Sequence, residues 1–175
     1  VMLQNIKIGD VPARWVNAPG VREEAVIIYY HGGGYVMGSL DTHEELMSRI
    51  SRRCNARVLG VDYRLAPESP FPAAVEDGLD AYRWVLDQGI SANNILLGGD
   101  SAGGGLTLAT LLAAKAEGVS QPAGAILFSP WTDLTASGDS VKSREGDDPM
   151  IPNGDVLTSM AAYYHDDVND PLVSP

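Results

Sequence analysis

Polar and apolar positions alternate at the start of the chain. Ile6 and Ile8 alternate with Asn5 and Lys7, a Gly9-Asp10-Val11-Pro12 turn follows, and Ala13 to Asn17 continues as a second extended stretch. This is the pattern of an antiparallel hairpin. The period then changes. Unbroken apolar runs at Val26 to Tyr30, Val58 to Val61, Ile95 to Leu97 and Ala125 to Phe128 read as strands buried on both faces, which is the signature of parallel pairing. Helical periodicity fills the intervals. The first predicted helix begins near Asp41-Thr42, where Thr42 and Glu45 match a capping box, and turns Leu46, Met47, Ile50 and Cys54 inward. The second follows Pro72, with Val75, Leu79, Tyr82 and Leu86 on one stripe and Glu76, Asp80, Arg83 and Asp87 facing water. The third runs from Ser101 to about Glu117. It is apolar almost all round from Leu106 to Ala114, as a helix at the centre of a sheet must be. Alternating strands and helices predict an α/β fold with a mostly parallel sheet and an antiparallel N-terminal hairpin.

After Trp131 the pattern loosens through Ser137-Gly138-Asp139-Ser140 and Asp147-Asp148-Pro149. A last helix is expected from about Asn153 to Tyr164, with Leu157, Met160, Ala161 and Tyr164 as its apolar face. The change divides the chain into residues 1–134 and 135–175. No internal repeat or low-complexity tract interrupts it.

With 175 residues, 45% of them hydrophobic, the chain can bury the core of one domain. No apolar run is long enough to cross a membrane. The N-terminal Val1 to Asn5 lacks the basic and apolar segments of a secretory signal, so a cytoplasmic location is expected. A formal charge of -11 argues against nucleic acid and anionic membrane partners, since phosphate binding needs clustered Lys and Arg. The acidic doublets Asp147-Asp148 and Asp166-Asp167 could bind metal but read as solvated surface, so no metal is expected. The single cysteine, Cys54, has no disulfide partner within the chain and reads as a core-facing thiol.

The chemistry concentrates in two glycine-rich turns. Gly99-Asp100-Ser101-Ala102-Gly103 follows the strand at Ile95 to Leu97 and opens the apolar helix, the arrangement of a nucleophile elbow. Gly99 and Gly103 let strand and helix approach, Ser101 is pushed out at the top of the sheet, and the Ala102 amide opens a helix N-terminus that favours negative charge. A helix N-cap is the structural alternative for Ser101. Upstream, Val26 to Tyr30 runs directly into His31-Gly32-Gly33-Gly34, a loop whose unobstructed amides can serve an oxyanion; Gly33 and Gly34 are the expected donors. The glycine-rich run is not a phosphate loop, because no lysine follows it.

These motifs, with Tyr35 after the glycines, Asp62-Tyr63-Arg64-Leu65-Ala66-Pro67-Glu68, Phe71-Pro72-Ala73 and Ser129-Pro130-Trp131-Thr132-Asp133-Leu134, make the chain resemble the bacterial hormone-sensitive lipase-like esterases of the α/β-hydrolase superfamily. The resemblance covers nearly the whole chain. It implies a cofactor-independent carboxylic-ester hydrolase acting on short to medium acyl esters, with Ser101 as nucleophile and the Gly33, Gly34 and Ala102 amides as oxyanion hole. It also implies loop support from His31, Gly32, Gly99, Asp100 and Gly103. Residues 1–134 would then be the N-terminal part of the core. Residues 135–175 would be a partial helical cap and a return toward the core, with a helix packed on the sheet as the plainer alternative. Family members continue past Asp170-Pro171-Leu172-Val173-Ser174-Pro175 into strands and helices carrying the triad acid and histidine, so an N-terminal portion is expected here. The expected partners are a small-molecule ester and that C-terminal segment, with homodimerisation of the complete protein left open. A binding protein on a hydrolase frame, as in the plant gibberellin receptors that look like this family, is the competing class; peptidase and deacetylase activities share the same serine chemistry.

Other residues admit two readings each. Asp100 adjoins Ser101 and is expected to point away across the elbow, and neither it nor Asp133 has an evident histidine partner as a triad acid. His31 is expected to hold the glycine loop rather than act as base. His43 reads as a surface residue at a helix start, and His165 as the end of the last helix beside Asp166. Tyr35, Met37 and Trp131 could line an acyl or alcohol pocket or pack in the core. Arg64 and Glu68, within the Asp62 to Glu68 motif, read as serving a buried ion pair or bracing the loop rather than contacting substrate. The strand at Ala125 to Phe128 is expected to form an apolar sheet edge.

Overall fold

The computed structural model describes residues 1–151 and 153–175, with Tyr163 described through its backbone. Six strands form one sheet: β1 (Met2–Ile8), β2 (Val11–Asn17), β3 (Arg22–Tyr30), β4 (Ala56–Val61), β5 (Ile95–Asp100) and β6 (Gly124–Phe128), in the order β1-β2-β4-β3-β5-β6. The first two pair as the expected hairpin, and β2 runs antiparallel to β4. From β4 to β6 the sheet is parallel. Tyr30 therefore stands opposite both Val61 and Gly99, so the loops that leave β3, β4 and β5 emerge side by side.

Side-chain alternation in β3 assigns the two faces. Val26, Ile28 and Tyr30 face α2 (Ala73–Asp87) and α3 (Ala102–Ala116), whereas Ile27 and Tyr29 face α1 (Leu40–Cys54). All five are essentially inaccessible, which is why this strand carries no polar residue along its second half. Each large side chain so buried contributes roughly 1.5–3 kcal/mol. On α3, Leu106, Ala109, Thr110 and Ala113 are buried together with Gly103 to Gly105, and the helix sits in the middle of its layer as its all-round apolar pattern predicts.

The start of α1 differs from expectation. Its cap is Ser39, whose hydroxyl accepts from Thr42 N while the Thr42 hydroxyl accepts from Ser39 N. The capping box thus lies three residues earlier than Thr42 and Glu45, because Thr42 substitutes for the longer Glu or Gln at the third helical position. Cys54 is exposed rather than core-facing. The inward stripe of α1 ends at Ile50 and Ser51, and Asn55 at once reverses the chain in a left-handed conformation, which leaves the last turn at the sheet margin. The Ser51 hydroxyl closes that end, accepting from Ala18 N and donating to Ala56 O.

Arg64 makes its ion pairs with Asp77 and Glu76 of α2, and Glu68 is exposed. The Asp77 carboxylate, 2% accessible, accepts from Arg64 N, Nε and Nη2 and so ties the chain after β4 to α2.

Beyond β6, α4 (Asp139–Ser143) is a single short helix and α5 (Gly154–Tyr164) is the expected longer one, capped by Asn153. Ala161 and Tyr164 of α5 are buried, and Phe71 N donates to Tyr164 O. The chain then turns back: Val173 is buried and the Ser174 hydroxyl accepts from Leu134 N. Strand β6 is parallel as expected but not buried on both faces: it lies at the sheet edge with no strand beyond it among the described residues, so Ala125 is exposed and Phe128 is 44% accessible. Among the described residues no helix is long and apolar enough to cross a membrane.

Candidate active site

Ser101 joins β5 to α3 with φ 51° and ψ -120°. A non-glycine residue in that region is strained, and the surrounding backbone holds it there. Ser101 N donates to Phe128 O, while Ser101 O accepts from Trp131 N, Gly104 N and Gly105 N. Its hydroxyl makes no cap hydrogen bond with the helix that follows, in contrast to Asn153 at the start of α5. The N-cap alternative therefore does not describe this serine. The glycines on either side are required by space: a Cβ on Gly99 would come within 2.4 Å of Gly103 backbone, and one on Gly103 within 2.0 Å of Tyr30 O.

That contact with Tyr30 brings the elbow against the second glycine turn. Val36 N and Met37 N both donate to Gly33 O, which curls the loop, and Gly33 and Gly34 take φ of 132° and 63°. A Cβ on Gly33 would meet Met37 O at 2.1 Å. Among the described residues the Gly33 and Gly34 amides have no acceptor, and Ala102, as first residue of α3, has no carbonyl one turn earlier in the helix.

His31 lies under the loop. Its ring stacks on Tyr63 with centroids 4.4 Å apart, Nδ1 is 2.8 Å from Gly32 O, and the Tyr63 hydroxyl donates to His31 O. Burial pushes the imidazole below its ordinary pKa, so it is neutral with Nδ1 as donor. Among the described residues Nε2 has no hydrogen-bond partner, the Asp62 carboxylate being 4.0 Å away.

Asp100 points away from the elbow and does have a histidine partner. Its carboxylate accepts from the Tyr29 hydroxyl at 2.9 Å and Gly32 N at 3.1 Å, and His43 Nε2 lies 3.3 Å from it. Burial alone would raise this carboxylate, but the donors from His43, Tyr29 and Gly32 outweigh it and hold the group below the usual range. The hydrogen bond to Asp100 in turn raises His43. His43 is thus no free surface residue: its side chain is 17% accessible and its ring lies 5.5 Å from that of His31. Periodicity could show only its place in the first turn of α1, not that this turn abuts Gly32.

The three aromatic and sulfur candidates separate. Tyr35 is buried, stacked on Tyr164 at 3.9 Å, and Trp131 is buried with Nε1 donating to Asp133 O. Both are packing residues. Met37 is 55% accessible. A groove beside the loop is lined instead by Val36 and Pro67 on one side and by Val156, Ser159 and Met160 of α5 on the other. Met160 stands directly over Gly34, where a Cβ would lie 2.4 Å from its sulfur. Asp133 is consumed by its own turn, accepting from the amides and hydroxyls of Thr135 and Ser137. His165 stacks on Phe71 at 4.6 Å. No group of His, Cys, Asp and Glu suited to a metal ion occurs among the described residues.

This architecture recurs in known proteins. The chain is 41% identical over 172 residues to an acetyl-hydrolase of Streptomyces hygroscopicus, aligning 97% of this chain with 57% of that one. It is 36% identical to an esterase of Acinetobacter venetianus, aligning all of this chain with 58% of that one. A crystal structure of an esterase from the bacterial hormone-sensitive lipase family superposes with a TM-score of 0.97 at 46% identity, covering 99% of this chain and 59% of the other. The chain spans less than three-fifths of the length of each of these relatives. A family model described as alpha/beta hydrolase fold matches residues 27–175, and the chain belongs to that family.

Proposed function

We propose that the protein carrying this chain is a carboxylic-ester hydrolase with Ser101 as its nucleophile. The observation that carries the reading is the strained φ of Ser101, whose hydroxyl is left out of helix capping on an elbow packed through Gly103 against the start of the glycine loop, where among the described residues the Gly33 and Gly34 amides have no acceptor. Ser101 Oγ attacks the acyl carbon and its proton passes to a histidine. The carbonyl oxygen becomes an oxyanion that the Gly33, Gly34 and Ala102 amides stabilise. Collapse of the tetrahedral intermediate expels the alcohol, which takes that proton, and water then cleaves the acyl-serine by the same route in reverse.

The histidine and its acid are assigned to the part of the relatives' length that this chain does not span. The histidines present support this. His31 is buried with Nδ1 on Gly32 O, His43 has Nδ1 on Thr42 and Nε2 on Asp100, and His165 stacks on Phe71. Residues 135–175 act as a cap, with α5 over the glycine loop and the groove between α5 and Val36 admitting a small ester. Short acyl chains suit the names of the relatives, one of which is an acetyl-hydrolase.

The test is turnover of p-nitrophenyl acetate and butyrate by the protein from its full reading frame, with and without Ser101→Ala. The substitution should cost about 10⁴-fold or more and abolish labelling by a fluorophosphonate. Undiminished turnover or labelling would move the nucleophile elsewhere.

A further inference from the structure

The carboxylate of Asp100 lies between the two halves of the site. Asp100 directly precedes Ser101, and the amide that it binds, Gly32 N, directly precedes Gly33 and Gly34. The fit is close, since a Cβ on Gly32 would come within 2.2 Å of Asp100 Oδ2. The third element in the contact is α1, which delivers His43.

We propose that His43 is a positioning residue: from the first turn of α1 it clamps the Asp100 carboxylate against the Gly32 amide and thereby fixes the Gly33 and Gly34 amides relative to Ser101. The inference rests on the hydrolase reading given above. Gly32 N lies 3.1 Å from Asp100 Oδ1 and 3.3 Å from His43 Nε2, so the two could compete for its proton. When Nε2 carries a proton and donates to Asp100, only the carboxylate can accept from Gly32, and the three groups lock into one arrangement.

The other side of the ring is also held. Nδ1 is 2.8 Å from Thr42 Oγ1, within the capping box that Thr42 makes with Ser39, so the helix start and the ring are fixed together. The titratable groups around the clamp come from three strands. Tyr29 and the neutral His31 approach from β3 and the turn after it, Asp100 from the end of β5, and Asp62, after β4, stands beyond His31. Among the described residues Asp100 is the one anion in hydrogen-bond reach of the His43 ring, so a positively charged imidazole is stabilised there. His43→Leu removes the donor, whereas His43→Gln keeps an N–H that can reach Asp100 but cannot be charged.

The experiment uses the full-length protein, reading steady-state kinetics from pH 5 to 9 together with hydrogen exchange of the Gly32 to Gly34 amides. His43→Leu should lower kcat about tenfold, a part of what loss of a whole oxyanion donor costs, with KM within about twofold and faster exchange at Gly32. His43→Gln should recover most of kcat and abolish the inflection that His43 places above its ordinary pKa. Unchanged kcat and exchange in both variants would overturn the proposal. So would a fall in thermal stability with kcat per folded molecule intact, which marks a purely structural role. If His43→Leu does not fold, the pH profile and exchange of His43→Gln decide alone. Should Ser101→Ala retain turnover, the hydrolase reading falls, and exchange at Gly32 still tests the clamp.

Discussion

Gly103 of α3 lies so close beneath Tyr30 of β3 that a side-chain carbon on it would stand 2.0 Å from the Tyr30 carbonyl oxygen and 2.6 Å from that of His31. Both obstacles are backbone, at the point where the strand gives way to the glycine loop, so neither can swing aside. Gly103→Ala should therefore push α3 away from β3 and cost about 3 kcal/mol, the upper part of the range for overpacking. Urea denaturation measures this, and a loss below about 1 kcal/mol would show that the contact relaxes cheaply.

Gly33→Ala should act on chemistry more than on stability. Its φ of 132° and the Met37 carbonyl 2.1 Å from the added carbon force the loop to refold locally. On the hydrolase reading kcat falls about 10²-fold, the scale of one lost oxyanion donor, with KM much less affected. Steady-state kinetics of the full-length protein check both.

Asp77→Ala should destabilise through two unsatisfied groups. The Arg64 amide loses its acceptor, and the guanidinium loses its buried partner while retaining Glu76. Because Arg64 is half exposed, about 2 kcal/mol is expected rather than the full cost of breaking a buried pair. Chemical denaturation gives the value, and Asp77→Asn should lose less.

Asp133 predicts an acid-dependent contribution. The Thr135 hydroxyl, opposed by burial and joined by the donors from Ser137 and the Thr135 amide, holds its carboxyl down to about 2. A depressed carboxylate stabilises the fold above its unfolded pKa, near 4, and that stability is lost as pH falls toward 2. The Tm difference between the protein and Asp133→Ala should be full at pH 6 and shrink steadily below pH 4.

On the hydrolase reading, with the base assigned outside them, residues 1–175 alone should hydrolyse p-nitrophenyl acetate about 10⁴- to 10⁶-fold more slowly than the full-length protein, only binding and oxyanion stabilisation remaining. Full activity from these residues would place the base on His31, His43 or His165.

Much of this molecule is legible from local pattern. The runs at Val26, Val58 and Ile95 give parallel strands buried on both faces because only apolar residues survive between two helical layers, while the equally apolar run at Ala125 is parallel but lies exposed at the edge, and the all-round apolar α3 announces its central place. The strand-to-helix turn at Ser101 is equally local, since strain at one residue demands glycines at fixed offsets. What the sequence could not show is which distant groups meet. His43 looks like any polar residue of a first helical turn until parallel pairing of β3 with β5 sets Gly32 beside Asp100 and α1 folds over both. Tyr35 and Trp131 sit next to the motifs in sequence yet are packed in the core, and the groove beside the loop is walled by α5 from far along the chain. Cys54 shares the helical spacing of its buried neighbours but lies where the sheet beneath has ended. Periodicity reports which face of an element is apolar; what covers that face, and which polar tips converge there, is decided only when the elements pack.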